Sequence, residues 1–178
     1  KLIPIEIYQR MNYMTTLQLF QWAHYELNIP LDERSCESAS FGGHLSILKW
    51  LHSRRGRTNS QFSVCRAAAY SGHLHILQWA RSQSTPYPWH EKTCLKAALQ
   101  GNLDVLRWLR AQKPPCPWNA NVCGAAAQEG HLHILKWARA QNPPCPWKVD
   151  VCQVAAQEGH FEVLKWARAQ NPPAPWDE

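Results

Sequence analysis

A unit of 29 residues recurs along this chain of 178 residues and constrains its fold more than any other feature. Five glycines open successive copies at this spacing: Gly43, Gly72, Gly101, Gly130 and Gly159. A cysteine stands seven residues before each glycine, and a tryptophan stands seven residues after it. A fixed period of about 20–50 residues is typical of a solenoid, whose units bury their apolar faces only against their neighbours. The sequence therefore predicts an open array that holds a partner along its surface rather than a pocket for chemistry.

The fourth copy shows what a single unit is expected to form. Residues 119–129 are rich in alanine and stop before Gly130, which suits the left-handed end of a helix. Residues 131–141 carry a wide apolar face at helical spacing, and His131 stands where an N-cap is expected. The three prolines within residues 142–147 cannot continue that helix. The unit is therefore predicted to be a helix, a glycine corner, a second helix and a proline turn, with no strand.

The same template extends along most of the chain. It predicts helices near residues 61–71, 73–83, 91–100, 102–112, 119–129, 131–141, 148–158 and 160–170. It divides the chain into a divergent N-terminal repeat or cap, residues 1–32, and a repeat array, residues 33–178. The units of the array are about 33–60, 61–89, 90–118, 119–147 and 148–176.

The last unit lacks the polar outer side that a terminal repeat needs. Phe161, Val163 and Leu164 repeat the internal apolar pattern. We therefore expect that the chain is a piece of a longer array, or that another molecule caps this unit, for example in an end-to-end contact.

Composition limits the class of protein. Apolar residues make up 45% of the chain, which is enough for a continuous core, and the net charge of +6 permits an acidic partner without requiring nucleic acid. No segment has the length of a transmembrane helix, and no secretory signal is visible. These features predict an intracellular protein, with the cytoplasm as the first expectation. The nucleus and organelles stay open, because the chain starts at Lys1 rather than Met.

The cysteine and histidine columns give little support to a metal site. Cys116 and Cys145 share their column with Tyr87 and Ala174, so the column does not require a ligand. Cysteines of successive units are expected about 8–10 Å apart, too far for a disulfide or a shared zinc ion. The two His-x-His segments are expected to point their side chains apart, and the column admits Asn102. We predict no metal and no cofactor, and small half-buried cysteines.

Catalytic motifs are not found in the sequence. No phosphate-binding loop, zinc-protease motif or serine-histidine-aspartate order is visible, and no pair of carboxylates recurs. The sequence therefore predicts that the protein is not an enzyme.

Nine of the ten tryptophans fall into two columns. The helical column, expected in the core, contains Trp50, Trp79, Trp108, Trp137 and Trp166. The other column ends each proline turn and contains Trp89, Trp118, Trp147 and Trp176. We expect these turn tryptophans to fold back over the helix pair, and the alternative is an exposed platform on which a ligand stacks.

The block A-A-x-x-G-H-L-x-x-L at residues 126–135, with a variant form at 155–164, resembles the ankyrin repeat. The period is 29 rather than the usual 33 or so, the T-P-L-H opening is replaced, and a Pro-Pro-x-Pro-Trp turn stands in place of the hairpin finger. In this form the chain is similar to divergent ankyrin-type arrays abundant in giant viruses, oomycetes and unicellular algae. The resemblance implies an all-α, helix-turn-helix solenoid with five full repeats, a degenerate N-terminal repeat and no hairpin fingers. It also implies protein–protein recognition.

The two residues before each glycine vary between units while the core columns stay constant. Ankyrin arrays often bind partners at the equivalent place, so the resemblance implies a binding surface there. Its candidate residues are Phe41, Tyr70, Ser71, Leu99, Gln100, Gln128, Glu129, Gln157 and Glu158.

Basic residues recur at two positions of the second helix that are three residues apart and therefore share one face. Stacking of the units is expected to build from them a basic ladder that projects to solvent. Its residues are Lys49, Arg81, Arg107, Arg110, Lys136, Arg139, Lys165 and Arg168. Such a ladder serves either as a solvated face or as a binding site for an anionic surface.

Three functions remain open from the sequence. The first is a non-enzymatic scaffold that binds another protein through the repeat surface. The second is a structural or linker subunit of a large macromolecular assembly. The third, which ranks lower, is a binder of RNA or an anionic surface through the basic ladder.

Overall fold

The computed structural model describes residues 14–28, 30–55, 61–148, 150–171 and 173–174, with only the backbone described at positions 55 and 150. These residues form eleven α-helices and no strand. The helices are α1 (Thr16–Glu26), α2 (Glu33–Phe41), α3 (Leu45–Arg55), α4 (Gln61–Tyr70), α5 (Leu74–Arg81), α6 (Glu91–Leu99), α7 (Leu103–Ala111), α8 (Ala120–Gln128), α9 (Leu132–Arg139), α10 (Asp150–Gln157) and α11 (Phe161–Arg168). The prediction of an all-helical fold is confirmed for the described residues, and the eight predicted helices begin and end within two residues of the observed bounds. Residues 1–13 of the predicted N-terminal repeat lie outside the described ranges.

The helices pack in sequence, each on its neighbours along the array. We call α2, α4, α6, α8 and α10 the first helices, and α3, α5, α7, α9 and α11 the second helices. Each first helix packs on the next first helix and on the second helix that follows it, and α1 packs on α3. The first helices come close because their contact faces consist of small side chains: Ala68, Ala98 and Ala126 are fully buried. Sequential packing of this kind is the arrangement of a helical solenoid.

The second helices supply most of the large buried side chains of the core. Their isoleucine or valine column and their leucine column are buried from α3 to α9, as in Ile76, Leu77, Ile134 and Leu135. Full burial of each such side chain contributes about 1.5–3 kcal/mol to stability. The apolar residues join into one continuous cluster that runs along the array. The helical tryptophans differ from expectation, since they are half-buried at the edge of this cluster rather than enclosed by it.

The last helix pair in the described residues is covered less completely than the others. Phe161 is 66% exposed. Leu164 is half-buried and Ala156 is exposed, whereas their counterparts Leu135 and Ala127 are fully buried. An apolar side of α10 and α11 therefore faces outward, as expected from the lack of a polar terminal unit.

A glycine in the left-handed region joins each first helix to its second helix. The five glycines have φ between 71° and 77°, and the amide of the next residue donates back to the helix, as His131 does to the carbonyl of Ala126 at 2.7 Å. This conformation satisfies carbonyls at the end of the first helix and turns the chain back on itself. The corner is also crowded, because a Cβ atom on Gly130 would lie 2.6 Å from Nδ1 of His160.

Side chains at the start of α5, α7, α9 and α11 connect each of these helices to the unit before it. His131 occupies the N-cap position of α9, as expected, but its side chain makes no capping hydrogen bond: its Nε2 lies 3.2 Å from the carbonyl oxygen of Leu99 in the unit before. His73 and His160 make the same contact at 3.0 and 2.8 Å, with the carbonyls of Phe41 and Gln128. The column accepts asparagine because an amide also donates across this distance.

Asn102 shows this substitution in detail. Its Nδ2 donates to the carbonyls of Ala69 and Tyr70 at 3.0 and 2.7 Å. A second histidine adds a further bond between units in two places. Nε2 of His75 lies 3.1 Å from the carbonyl oxygen of Gly43, and Nε2 of His133 lies 3.2 Å from that of Gly101. The expectation that the His-x-His side chains diverge is therefore wrong, since the rings of His73 and His75 have centroids 5.6 Å apart.

The proline turn is closed by a hydrogen bond and covered by an arginine. In the unit of α6 and α7, the amide of Cys116 donates to the carbonyl of Leu109 at 3.0 Å. The Arg110 guanidinium donates to the carbonyl of Cys116 at 2.6 Å and lies 4.3 Å from the ring centre of Trp118. The Trp118 ring then meets Trp137 of the next second helix edge-on, with centroids 5.7 Å apart.

The same arrangement recurs at Trp89 and Trp147, so the turn tryptophans bridge successive units. These contacts support the structural interpretation of that column over the stacking platform. Trp176, the last member of the column, lies outside the described residues.

Gly130→Ala and Gly159→Ala separate the two reasons for glycine at the corner. Both positions have a positive φ, which costs an alanine about 1–2 kcal/mol. Only Gly130 faces a neighbouring side chain, because no heavy atom lies within 4 Å of a Cβ placed on Gly159. We expect Gly130→Ala to lower the free energy of unfolding by about 1 kcal/mol more than Gly159→Ala, with loss of the His160 contact. Urea denaturation measures this difference, and equal losses would contradict the crowding argument.

Trp118→Ala tests the bridging role of the turn tryptophan. Because the ring is half-buried, we expect a loss of about 2–3 kcal/mol, below the 3–5 kcal/mol typical of a fully buried aromatic side chain. Trp118→Phe is the control, since it keeps an aromatic ring between Arg110 and Trp137 and should cost less. Thermal and urea denaturation measure both variants. A change below 0.5 kcal/mol or so in Trp118→Ala would remove the argument for a structural bridge.

Candidate interaction surface

The residues predicted to bind a partner lie along one side of the stacked first helices. We call this side, at the C-terminal ends of α2, α4, α6, α8 and α10, the first-helix face. Stacking brings Phe41 and Tyr70 together, with ring centroids 5.7 Å apart and planes at 24°. Phe41 is 54% exposed, which is unusual for a large apolar side chain, while Tyr70 and Leu99 are half-buried. The pair forms a flat aromatic platform that is open to solvent.

Charged side chains surround this platform. Nη2 of Arg66 lies 3.1 Å from Oε1 of Glu37, in an ion pair between α4 and α2. Nζ of Lys96, on α6, lies 5.4 Å from the centre of the Tyr70 ring. Such a cation–ring contact adds about 0.5–1 kcal/mol at an exposed site.

These residues line a groove of about 650 Å³ across α2, α4 and α6. We call it the aromatic groove, and its lining residues are Glu37, Phe41, Arg66, Ala67, Tyr70, Lys92, Leu95 and Lys96. A groove of this size accepts a few side chains of an extended segment rather than a large cofactor.

Further along the first-helix face the character of the surface changes. Gln128, Glu129, Gln157 and Glu158 are exposed, and the described side chains there contain no aromatic ring. The first-helix face therefore has an aromatic and basic part on α2, α4 and α6, and an acidic and amide part at the ends of α8 and α10.

Two predicted residues take a different position. Gln100 is exposed but does not line the aromatic groove. The hydroxyl of Ser71 is buried and has no hydrogen-bond partner among the described residues, so it does not belong to the exposed part of the face.

Six lining residues of the aromatic groove were missed by the sequence analysis: Glu37, Arg66, Ala67, Lys92, Leu95 and Lys96. A signal for three of them was available. Glu37, Arg66 and Leu95 stand four residues before Phe41, Tyr70 and Leu99, and residues four apart lie on the same face of a helix. This column also varies between units, which marks an exposed position.

The basic ladder is only partly as expected. Lys49, Arg107, Lys136 and Lys165 are exposed on the second helices, and Arg107 lies 3.9 Å from Asp104. The arginines three residues further on do not project freely. Arg81, Arg110 and Arg139 are half-buried, bond to the proline turn and cover its tryptophan, and Arg168 bonds to the carbonyl of Ala174. On α7 and α9, which carry both basic positions, one exposed outer cation therefore remains instead of two, whereas Lys165 and Arg168 are both exposed on α11.

The cysteines lie deeper than expected. All seven are buried and none forms a disulfide. Burial raises the pKa of the Cys65 thiol to about 12. A hydrogen bond with Cys116, together with burial, raises the pKa of the Cys94 thiol far above its ordinary range. Such thiols stay protonated at neutral pH, and a protonated thiol is a poor nucleophile.

Comparison with protein-family models and with curated proteins finds no match for this chain. Within the described residues, no group of three or more histidine, cysteine or acidic side chains is placed to hold a metal ion. None of the described helices combines the length and the apolar character that crossing a bilayer requires.

Stability should depend on pH through the buried thiols. The folded protein holds the Cys65 proton up to a pKa of about 12, whereas the unfolded chain releases it near the ordinary value of 9.0. A raised pKa in the folded state stabilises it fully below pH 9, and this contribution is lost as the pH rises from 9 towards 12. The loss reaches about 1.4 kcal/mol per pH unit for each such thiol.

Urea denaturation of the wild type and of Cys65→Ala between about pH 7 and pH 11 measures this dependence. We expect the variant to lose stability less steeply above pH 9, because it has one such thiol fewer. Parallel slopes would show that Cys65 does not contribute.

Proposed function

We propose that this protein is a non-enzymatic scaffold of the ankyrin type that binds another protein through the first-helix face. The observation that carries the proposal is the exposed Phe41 ring, stacked on Tyr70 in the aromatic groove. Aromatic side chains that are held rigid and surrounded by polar residues are typical centres of protein interfaces, since they lose little entropy on binding. The regular stacking of the first helices makes this surface continuous, as a partner of extended shape requires.

The family is part of the proposal. The glycine corner, the close-packed first helices and the sequential packing fit an ankyrin-type array in which the proline turn replaces the hairpin finger. Without fingers, the exposed ends of the first helices are the part of that surface that remains for contact. We place the protein inside the cell, where thiols such as these seven stay reduced.

Phe41→Ala tests the binding site. We expect it to weaken binding of the partner by about thirtyfold, as the loss of a central aromatic residue in an interface does, while stability changes little because the ring is largely exposed. Phe62→Ala is the matched control: Phe62 is 44% exposed and stacks on His90, but it lies outside the aromatic groove.

The measurement uses photo-cross-linking in cells that express the chain naturally. A benzophenone amino acid at position 41 should yield one dominant cross-linked protein, and the same group at the exposed position 78 on α5 should not. Affinities of Phe41→Ala and Phe62→Ala for that protein then follow from calorimetry. Equal cross-linking at positions 41 and 78 would contradict a binding site on the first-helix face.

A role as a linker subunit is the second candidate, because the outward side of α10 and α11 is apolar. Phe161 is 66% exposed there, beside the half-buried Leu164. An end-to-end contact with another repeat unit would cover both side chains. Light scattering over a range of concentrations tests this role: association that is abolished by Phe161→Glu favours it, and a monomer at all concentrations counts against it.

Binding to RNA or an anionic surface through the outer lysines is the third candidate. The dependence of its affinity on salt concentration distinguishes it from the other two. Counterion release makes the logarithm of affinity fall steeply with the logarithm of salt concentration. A shallower dependence favours the first-helix face, because its aromatic groove combines apolar surface with only two cations that lack an ion-pair partner within 4 Å among the described residues, Lys92 and Lys96.

A further inference from the structure

We propose that the segment held in the aromatic groove is a short acidic peptide with one large apolar side chain, lying across α2, α4 and α6. This inference rests on the proposed function and names the chemistry of the partner. It follows from the charges that line the groove, from its aromatic platform and from the surface that continues beyond it.

The groove has an excess of positive charge that the protein does not neutralise. Glu37 and Arg66 form an ion pair at 3.1 Å and offset each other. Lys92 and Lys96 also line the groove, and neither has an ion-pair partner within 4 Å among the described residues. Glu91 is next to Lys92 along the chain but does not line the groove. Two cations on α6 therefore face the site, and carboxylates complement them.

The platform selects an apolar side chain. The Phe41 ring is open on its outer side, because Tyr70 stacks on one face only and more than half of the side chain is exposed. Leu95 and Ala67 extend the apolar floor towards α6. A leucine or aromatic side chain of the peptide would cover Phe41, and its neighbouring carboxylates would reach Lys92 and Lys96.

The rest of the first-helix face limits the length of the acidic segment. Glu129 and Glu158 are exposed at the next two corners, with Gln128 and Gln157 beside them. They repel an acidic chain that continues past α6. The acidic part is therefore confined to α2, α4 and α6, and any continuation over α8 and α10 is neutral or basic. A long polyanion such as RNA meets the same repulsion, which favours a short peptide.

Selection from a random peptide display library tests the inference with no assumption about the sequence of the partner. The bait is the full chain, and the double variant Phe41→Ala, Tyr70→Ala serves for counter-selection. We expect a consensus with acidic residues next to a leucine or aromatic residue. A consensus without acidic residues would overturn the inference and leave the proposed function standing. If no peptide is enriched over the counter-selection, the proposed binding surface itself fails.

Charge reversal then tests the named lysines with the synthetic consensus peptide. Lys92→Glu, Lys96→Glu should weaken its binding at least about tenfold, since two favourable contacts become repulsive. The matched control is Lys136→Glu, Lys165→Glu, which makes the same change of net charge on the exposed outer face and should stay within about twofold of the wild type. Circular dichroism and thermal denaturation verify that both variants fold.

Two results would overturn the inference at this step. One is an equal loss of affinity in both double variants, which would indicate a general effect of net charge. The other is displacement of the peptide by oligouridine at lower concentration than by the unlabelled peptide, which would assign the groove to a nucleic acid. If Lys92→Glu, Lys96→Glu does not fold, Lys92→Gln, Lys96→Gln replaces it, with a loss of about three- to fivefold expected.

Discussion

The close approach of neighbouring first helices is the constraint on which the rest of this structure depends. Alanine and cysteine on their contact faces keep the backbones near each other, so that side chains of one unit reach the main chain of the next. His131 then reaches the carbonyl of Leu99, and Phe41 stacks on Tyr70 at 5.7 Å. A larger residue in the alanine column would push these helices apart and would break the bonds between units and the aromatic platform together, because interiors are close-packed.

Successive second helices lie further apart than successive first helices, which leaves a space between them on the outer side. The proline turn fills it: its tryptophan crosses to the next unit, and the arginine of the same unit covers the ring and bonds to the turn, as Arg110 and Trp118 do. The arginine column is therefore tied to the framework, and its aliphatic stem and charge both contribute there. This explains how a unit of 29 residues closes without a hairpin finger.

The sequence predicts the helices well because the signals for each helix lie within its own repeat: an apolar face at helical spacing, a glycine at the corner and prolines in the turn. What it does not predict are contacts between units. His131 looks like a cap because its position relative to α9 is visible in the sequence, whereas its bond to Leu99 spans 32 residues and depends on the stacking distance. Arg139 looks like an exposed cation for the same reason. For the aromatic groove, the helical spacing marks Arg66 beside Tyr70, but the paired Glu37 and the approach of Lys96 require the stacked helices.

The separation of framework from surface is the property of this array that the proposed binding function requires. Burial of the constant columns supplies most of the stability. Substitutions at the exposed positions before each glycine therefore affect stability little, usually by about 0.5 kcal/mol or less. Within this one chain these positions pass from Phe41 and Tyr70 to Gln128 and Glu158 while the core around them stays the same. A partner that lies along the first-helix face meets each unit as a separate contact. Under the proposed function, its specificity would arise from the order of the units, with aromatic and basic contacts first and acidic contacts later, rather than from one deep pocket.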